Sequence, residues 1–207
     1  MQKTHKTNEL RMRDVIFKRI FDLILSFVGL IFSVWLIIIA WVVASIDTKS
    51  NGFFLQKRIG QFGKPFSVIK IKTMISRKEI DSTVTTINDQ RITRSGKFFR
   101  RTKIDELPQL INVFLGAMSF VGPRPDVPGY ADLLDGEDRV ILTLKPGITG
   151  PATLKYKNEE TLLSSHDDPE KYNREVIYPD KVQINKEYII NYSLLSDFNY
   201  ICKTIFH

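Results

Sequence analysis

Two adjacent carboxylates, Asp105 and Glu106, stand at the end of the most basic stretch of the sequence. Guanidinium groups bind phosphate oxygens through paired hydrogen bonds, and carboxylates bind Mg²⁺ together with substrate phosphates. The combination predicts a site for a diphosphate bound to Mg²⁺, approached by a helix face that carries cations at helical spacing. The cations within the eleven residues before the pair are Arg94, Lys97, Arg100, Arg101 and Lys103.

The same carboxylates also have a purely structural explanation. If Asp105 is the N-cap of a helix, Glu106 takes the first helical position and Pro108 the third. Proline costs little there because first-turn amides lack helical partners. An exposed basic face would explain the cations that come before. Helix capping and phosphate binding therefore both remain open for this stretch.

A further cation, Arg124, is enclosed by Pro123 and Pro125 in the run GPRP. The two prolines restrict the backbone on both sides of the arginine. A pre-positioned arginine loses less conformational entropy when it binds an anion. The alternative is an ordinary turn with an exposed arginine.

The segment from Leu23 to Ile46 has no charged residue over 24 positions. A helix of that length reaches about 36 Å, enough to cross a hydrocarbon core of about 30 Å. It is too long for the apolar region of a cleaved signal peptide and longer than most buried helices of soluble domains. Basic residues flank it on both sides, and positive residues favour the cytoplasm. A spanning helix and a re-entrant helix loosened near Gly29 and Ser33 both remain open.

Charge is unevenly distributed along the 207 residues, whose formal net charge is +7. Residues 49–103 carry fourteen Lys and Arg but three Asp and Glu, whereas residues 104–207 carry ten and sixteen. The local basic excess predicts an anionic partner such as phosphate, nucleotide or lipid headgroup. Cys202 is the only cysteine, so an intrachain disulfide is excluded, as is usual in a reducing compartment.

Residues 53–74 predict a β-hairpin whose turn lies at Gly60 to Pro65. Residues 75–90 are polar and predict a loop. A basic helix should follow and lead into the sequence DELPQL. Two further loops are expected at residues 122–130 and 145–151.

The remaining chain is polar and predicts helices. Helix starts are expected at Pro169 and Pro179, which follow or precede aspartates. The tail 196–206 is amphipathic, with Ser196 as its N-cap. It could pack on the core or lie on a membrane surface, and we favour the core. The expected apolar face consists of Phe198, Ile201, Cys202 and Ile205.

The run RITRSGKFFRRTKIDELPQLINVFLGAMSFVGPRP at 91–125, with KPGITG at 145–150 and the apolar segment, resembles the bacterial sugar transferases. These are the monotopic phosphoglycosyl transferases that start glycan assembly on polyprenol phosphate. The likeness covers roughly residues 14–151, and the tail also looks like small members of the family.

The resemblance implies that a UDP-sugar gives its phosphosugar to undecaprenyl phosphate and that UMP leaves. Asp105 would be the nucleophile and would form an aspartyl-phosphosugar, with Glu106 as its partner carboxylate. Mg²⁺, bound at Asp105, is the expected cofactor. Phosphate or nucleotide contacts are expected from Arg100, Arg101, Pro123 and Arg124, and from Lys70 and Lys72 of the strand motif IKIKTM.

The implied fold is a mixed α/β (α+β) catalytic domain on the cytoplasmic face of the bacterial inner membrane, with an N-terminal re-entrant membrane helix. We divide the chain into a basic segment and membrane helix, 1–48, and a catalytic domain, 49–207. Expected partners are the UDP-sugar, undecaprenyl phosphate and membrane lipids. A homodimer and downstream glycosyltransferases are further candidates, and nucleic acid is not expected, because the basic half lacks interleaved stacking aromatics.

The sequence departs from the family pattern at three places. Ser33-Val34 replaces the usual Ser-Pro of the membrane helix, Ala117 replaces an acidic residue, and Ile71 and Lys72 replace phenylalanine and arginine. The alternative function is a catalytically inert membrane adaptor that recruits glycan enzymes. The sugar and the glycan pathway are not specified by the sequence, although we favour an N-acetylated amino sugar.

Overall fold

The computed structural model describes residues 10–75 and 91–206 and contains both helices and strands, as the sequence predicted. The predicted loop at 75–90 lies almost entirely outside the described residues. The strands are β1 (Phe53–Ile59), β2 (Pro65–Ile71), β3 (Ser119–Val121) and β4 (Gly147–Thr149). The helices are α1 (Met12–Thr48), α2 (Arg94–Thr102), α3 (Gln109–Leu115), α4 (Pro151–Lys155), α5 (Glu159–Ser164), α6 (Pro169–Tyr172), α7 (Tyr178–Ile190) and α8 (Leu194–Phe206).

Helix α1 contains the whole apolar segment and is long and apolar enough to cross a membrane. It ends where Lys49 adopts a left-handed conformation with φ of 49° and the Thr48 hydroxyl donates to the Ala44 carbonyl. The helix continues without interruption through Ser33 and Val34. The structure therefore shows no break in α1 at the position where the resemblance led us to expect a re-entrant helix to turn.

The described chain divides into two compact units made of alternating segments. The first, called the dyad unit because it contains Asp105 and Glu106, consists of residues 23–57 and 67–115. The second, called the Arg124 unit, consists of residues 10–22, 58–66 and 116–206. The predicted boundary between residues 48 and 49 stays a prediction.

The core of the dyad unit forms along one face of α1. Ile37, Ala40 and Ala44 repeat at helical spacing and are buried against Ile71 of β2 and Phe99 of α2. The two alanines allow a close approach because they carry only a methyl group. Most other apolar side chains of α1 remain exposed, as expected of a helix that meets lipid.

The predicted hairpin is confirmed, since β1 and β2 pair in a two-stranded sheet. The turn passes through Gly60 to Lys64, where the Gly60 amide donates to the Lys64 carbonyl at 2.9 Å. Phe62 and Gly63 both have positive φ, 58° and 75°. The turn therefore falls where its glycines predicted it.

In the Arg124 unit, β3 and β4 pair in parallel, with Ser119 opposite Gly147 and Val121 opposite Thr149. The expectation of a plain loop at 145–151 is therefore wrong, because it contains β4. A Cβ at Gly147 would lie 2.2 Å from the Gly122 backbone nitrogen, so only glycine permits this close pairing. The surrounding core includes Ile59, Val121, Ile141, Leu142, Val182, Tyr188 and Ile189.

Both predicted helix starts are found, although they differ in their caps. Asp168 caps α6 by accepting a hydrogen bond from the Lys171 amide at 3.0 Å, which confirms the start at Pro169. The helix predicted at Pro179 is also found, since α7 begins at Tyr178 with Pro179 in its first turn, but it has no side-chain cap and continues from α6 through a π-helical turn at Asn173–Ile177. Proline lacks the amide that a regular α-turn would use, and the wider turn comes directly before it.

The amphipathic tail forms α8, but its expected cap and buried face both need correction. The Ser196 amide donates to the Ser193 hydroxyl at 3.1 Å, so Ser193 and not Ser196 stands before the helix. Ile201 packs on the core as expected. Phe198 and Ile205 instead remain 57% and 69% exposed.

Candidate active site

Asp105 and Glu106 lie in a single tight turn between α2 and α3. Lys103 ends α2 in a left-handed conformation with φ of 59°, and Ile104–Glu106 then form one 3₁₀ turn. Helix α3 begins only at Gln109. The capping explanation of Asp105 is therefore wrong, because the aspartate lies inside the turn and ahead of Pro108 rather than at the boundary of α3.

The Asp105 side chain is buried and incompletely satisfied. The residue is 8% exposed, and its Oδ1 atom has no hydrogen-bond partner among the described residues. Buried carboxylate oxygens are normally hydrogen-bonded, because leaving one unpaired costs free energy. An unpaired oxygen in this position is expected of a group whose partner is a ligand.

The surroundings of Asp105 alter its proton affinity. Burial, followed by repulsion from the Glu106 carboxylate, raises the Asp105 pKa from 3.8 to about 6. Attraction from Lys70, Lys103 and Arg100 lowers it and offsets part of the rise. The carboxyl group is therefore largely ionised at neutral pH, as a nucleophile or metal ligand must be.

Lys70 of β2, predicted as a phosphate ligand, lies close to the same carboxylates. Its Nζ lies 3.5 Å from Glu106 Oε1, and both side chains are mostly buried. Asn112 of α3 fixes this arrangement, because its Oδ1 accepts from the Ile69 amide at 3.0 Å and its Nδ2 donates to the Ser67 carbonyl at 2.8 Å. The two hydrogen bonds lie just before Lys70 along β2 and hold its strand against the helix that follows the carboxylate turn.

Arg100 is the second predicted cation that lies near Asp105. Its Nε donates to the Thr73 hydroxyl at 3.0 Å, which fixes the side chain just beyond the end of β2. Helix α2 can approach Thr73 this closely because residue 96 is glycine. A Cβ at this position would lie 2.2 Å from the Thr73 carbonyl oxygen. Thr93 caps the helix through the Gly96 amide.

Two predicted phosphate ligands lie elsewhere in the dyad unit. The Lys72 ammonium donates to the Ser50 hydroxyl at 2.7 Å. Arg101 is exposed on α2. Lys103, by contrast, acts on Asp105 but was recognised in the sequence only as part of the basic stretch. The position of Lys103 two residues before Asp105 was the sequence signal that could have identified it.

Arg124 and Pro123 belong to the Arg124 unit, in the loop that follows β3. Arg124 is exposed, and the Pro123 carbonyl accepts from the Gly147 amide at 2.8 Å. Arg58 Nη1 donates to the Pro125 carbonyl at 3.1 Å, so hydrogen bonds hold the backbone on both sides of Arg124. That the two prolines preset the Arg124 backbone for anion binding stays a prediction.

Asp126 is a charged neighbour of Arg124 that the sequence reasoning did not select. Burial raises its pKa to about 6, and Lys181, Arg58 and Arg124 oppose the rise. An acid two residues after the enclosed arginine was the available sequence signal. The loop therefore carries an internal countercharge for its cations.

The residues at the carboxylate turn are suited to Mg²⁺ in combination with a substrate. Within residues 10–75 and 91–206 no group of three or more His, Cys, Asp or Glu side chains is placed to hold a metal. Mg²⁺ is commonly held by one or two carboxylates together with substrate phosphates. Asp105, with its unpaired buried oxygen, and Glu106 supply that number of carboxylates.

The sequence profile of the bacterial sugar transferase family matches residues 13–207, nearly the whole chain. The chain belongs to this family. It is accordingly a phosphoglycosyl transferase, as the motifs around Asp105 and Arg124 predicted.

Three relatives show how the chain compares with other members. "Uncharacterized sugar transferase EpsL" of Bacillus subtilis (strain 168) is 32% identical over 192 residues, which is 92% of this chain and 86% of the relative. "UDP-glucose:undecaprenyl-phosphate glucose-1-phosphate transferase" of Klebsiella pneumoniae is 37% identical over 201 residues, 93% of this chain and 40% of the relative. "Undecaprenyl-phosphate galactose phosphotransferase" of Salmonella typhimurium is 31% identical over 214 residues, 95% of this chain and 41% of the relative.

Proposed function

We propose that this protein transfers a sugar-1-phosphate from a UDP-sugar to undecaprenyl phosphate and so starts the assembly of a bacterial surface glycan. The observation that carries the proposal is the buried Asp105 carboxylate, with an unpaired oxygen, beside Glu106 and three cations. The names of the Klebsiella and Salmonella relatives support the lipid acceptor. Those two names specify different sugars, so they support no choice of sugar for this chain.

The reaction is a double displacement at phosphorus. An Asp105 carboxylate oxygen attacks the phosphorus that bears the sugar, and the bond from that phosphorus to the UMP phosphate oxygen breaks. UMP leaves with the electron pair. A phosphate oxygen of undecaprenyl phosphate then attacks the same phosphorus, and the bond to Asp105 breaks. The carboxylate is regenerated, and undecaprenyl-diphosphate-sugar is the product.

Cationic residues would reduce the repulsion between these anions. Lys70 and Arg100 are held by fixed strand and helix contacts and would neutralise the transferring phosphate. Arg124 would bind the nucleotide or its phosphates. The structure gives Lys72 a hydroxyl partner and leaves Arg101 exposed, so we assign both a weaker, peripheral contribution to phosphate binding.

Asp105 and Glu106 would hold Mg²⁺, which supplies charge neutralisation for the diphosphate and the departing nucleotide. Glu106 has a second contribution that needs no metal. Its negative charge raises the Asp105 pKa and thereby the basicity of the attacking oxygen. Lys70 opposes this effect, so the pair sets how much of the nucleophile is ionised.

We place the catalytic residues on the cytoplasmic face of the inner membrane, where nucleotide sugars and the lipid phosphate are both available. Basic residues on both sides of the apolar segment support this placement. Labelling of a cysteine introduced near the N-terminus, in a variant that lacks Cys202, tests the topology. Labelling only in opened cells, with the catalytic domain also inside, indicates re-entrance, and labelling of intact cells indicates a spanning helix.

The decisive experiment measures UMP release from a panel of UDP-sugars with Mg²⁺ and undecaprenyl phosphate. We expect one UDP-sugar to give turnover in the wild type and in Asp167→Asn, an exposed control. Asp105→Asn should give none. Intact-mass analysis without acceptor lipid should detect one phosphosugar on Asp105. Turnover that survives in Asp105→Asn would overturn the nucleophile, and a folded wild type without turnover on any sugar would favour the adaptor alternative.

A further inference from the structure

Thr73 follows the end of β2 by two residues and contacts α2 at two places. The residue is buried, and its backbone carbonyl accepts a hydrogen bond from the Thr93 amide at 3.1 Å, at the start of the helix. Its side-chain hydroxyl accepts from Arg100 Nε at 3.0 Å, about two helical turns further along. One residue therefore joins the strand that carries Lys70 to both the cap and the last turn of α2.

The start of α2 is also held by contacts that do not involve Thr73. The Ser95 hydroxyl donates to the Asp47 carboxylate near the end of α1, and the Thr93 hydroxyl accepts from the Gly96 amide at 2.9 Å. Because these contacts hold the start of the helix, the Thr73 hydroxyl acts mainly on the direction of the Arg100 side chain. Removal of that hydroxyl should free the guanidinium group without releasing α2.

The contacts of Arg100 leave one edge of its guanidinium group directed away from the strand end. Nε donates to the Thr73 hydroxyl, and Nη2 donates to Met74 Sδ at 3.3 Å. A guanidinium group has five N–H donors, and these two contacts use the edge formed by Nε and Nη2. The edge formed by Nη1 and Nη2 has two parallel N–H groups of its own, which match two oxygens of a phosphate.

The Arg100 charge acts on the nucleophile itself, since it is one of the three cations that lower the Asp105 pKa. Negative charge must be stabilised close to Asp105 when phosphorus is transferred. Donors that are already oriented need no reorganisation at that moment, and an arginine that is already fixed loses less side-chain entropy. The orientation of Arg100 should therefore affect the rate, although Thr73 itself carries no charge.

We propose that Thr73 is a positioning residue, whose hydroxyl directs the Arg100 guanidinium group so that its Nη1–Nη2 edge binds the transferring phosphate. The assignment rests on the proposed transferase reaction and adds a residue that acts on the substrate only through Arg100. Valine has nearly the shape of threonine but lacks the hydroxyl. Thr73→Val therefore removes the acceptor and keeps the backbone contact with Thr93, whereas Thr73→Ser keeps both.

NMR of the full chain in detergent tests the contact without turnover. Arginine is labelled with ¹⁵N at Nε, and the Arg100 signal is identified because it is missing from Arg100→Lys. In the wild type the Arg100 Nε proton should exchange slowly with water, because a buried hydroxyl binds it. Thr73→Val should speed this exchange about tenfold or more, the effect of losing a hydrogen bond to a charged group, and Thr73→Ser should not. Thr73→Ala replaces the valine variant if the latter does not fold.

Kinetics of UMP release then separate positioning from a general structural role. Thr73→Val should lower kcat/KM about tenfold to a hundredfold, and Thr73→Ser should restore most of it. Thr161→Val, the same change at an exposed position, should match the wild type. In the Arg100→Lys background, which has no guanidinium group to direct, Thr73→Val should cause no further loss.

Three results would contradict the role of Thr73 alone. They are unchanged exchange of the Arg100 Nε proton in Thr73→Val, a Thr73→Val variant as active as the wild type, or a loss of the same size in the Arg100→Lys background. A wild type that releases no UMP from any UDP-sugar would instead refute the proposed function, and the catalytic role of Thr73 with it. The two failures are therefore distinguishable.

Discussion

Replacing Asp105 by asparagine is expected to abolish turnover and at the same time to stabilise the protein. Burial and Glu106 raise the Asp105 pKa from 3.8 to about 6. A carboxyl group with a higher pKa in the folded chain binds its proton more tightly when folded, so its ionisation opposes folding. The cost is absent below pH 3.8, grows up to about pH 6, and is fully present above it. About two pKa units correspond to about 3 kcal/mol.

Thermal unfolding in detergent, without Mg²⁺ or nucleotide sugar, measures this cost. At about pH 8 the Asp105→Asn variant should unfold about 6 to 12 °C above the wild type, the shift that about 3 kcal/mol produces in a chain of this size. At about pH 4 the two should unfold at nearly the same temperature, because Asp105 is then protonated in the folded wild type. Asp167→Asn, at an exposed position, should change neither value.

Two results would refute this reasoning about Asp105. An equal gain at both pH values would mean that the asparagine stabilises through packing or hydrogen bonding rather than through the removed charge. A loss of stability at about pH 8 would mean that the carboxylate is satisfied within the fold, contrary to its unpaired Oδ1.

Four further substitutions test the electrostatics of the carboxylate turn and the packing of the two units. Glu106→Gln should move the acidic limb of the pH profile of kcat/KM to lower pH, because Glu106 raises the Asp105 pKa. Lys70→Gln should move this limb to higher pH, because Lys70 lowers the same pKa. If neither variant moves the limb, Glu106 and Lys70 do not control the ionisation of Asp105. Asn112→Leu should lower the free energy of unfolding in urea by about 2 to 4 kcal/mol, because two backbone groups of β2 lose a buried partner. Gly147→Ala should cost about 1 to 3 kcal/mol by the same measurement, because its Cβ would collide with the paired strand; wild-type stability would contradict the tight β3–β4 pairing.

Features set by neighbouring residues were predictable from the sequence. The β1–β2 hairpin follows from two apolar runs around a glycine-containing turn, and the cap at Asp168 from an aspartate before a proline. The length of the uncharged apolar segment predicted the long helix α1. In each case the residues that decide the structure lie within a few positions of each other.

Features that depend on distant contacts were not predictable in this way. Strand β4 has three residues, and its partner β3 lies far back in the sequence, so no local periodicity marks it. The turn at Asp105 resembles a helix cap in sequence, and the structure separates the two by placing Asp105 inside a 3₁₀ turn, with α3 beginning only at Gln109. Ser193 and Ser196 are equally good caps by residue type, and the chain entering α8 decides between them.

The alternation of segments between the two units has a consequence for biosynthesis. The dyad unit is complete at residue 115, whereas the Arg124 unit needs its last helix, α8, which ends at Phe206. The ribosome therefore synthesises every segment of the dyad unit, including the apolar part of α1, before it synthesises α8 of the Arg124 unit. Lys18 has no ion pair with Asp197 until that residue, 179 positions later, has been translated. Ribosome-bound chains cut short before α8 should thus already be anchored in the bilayer while their first helical turns still lack that neutralising carboxylate.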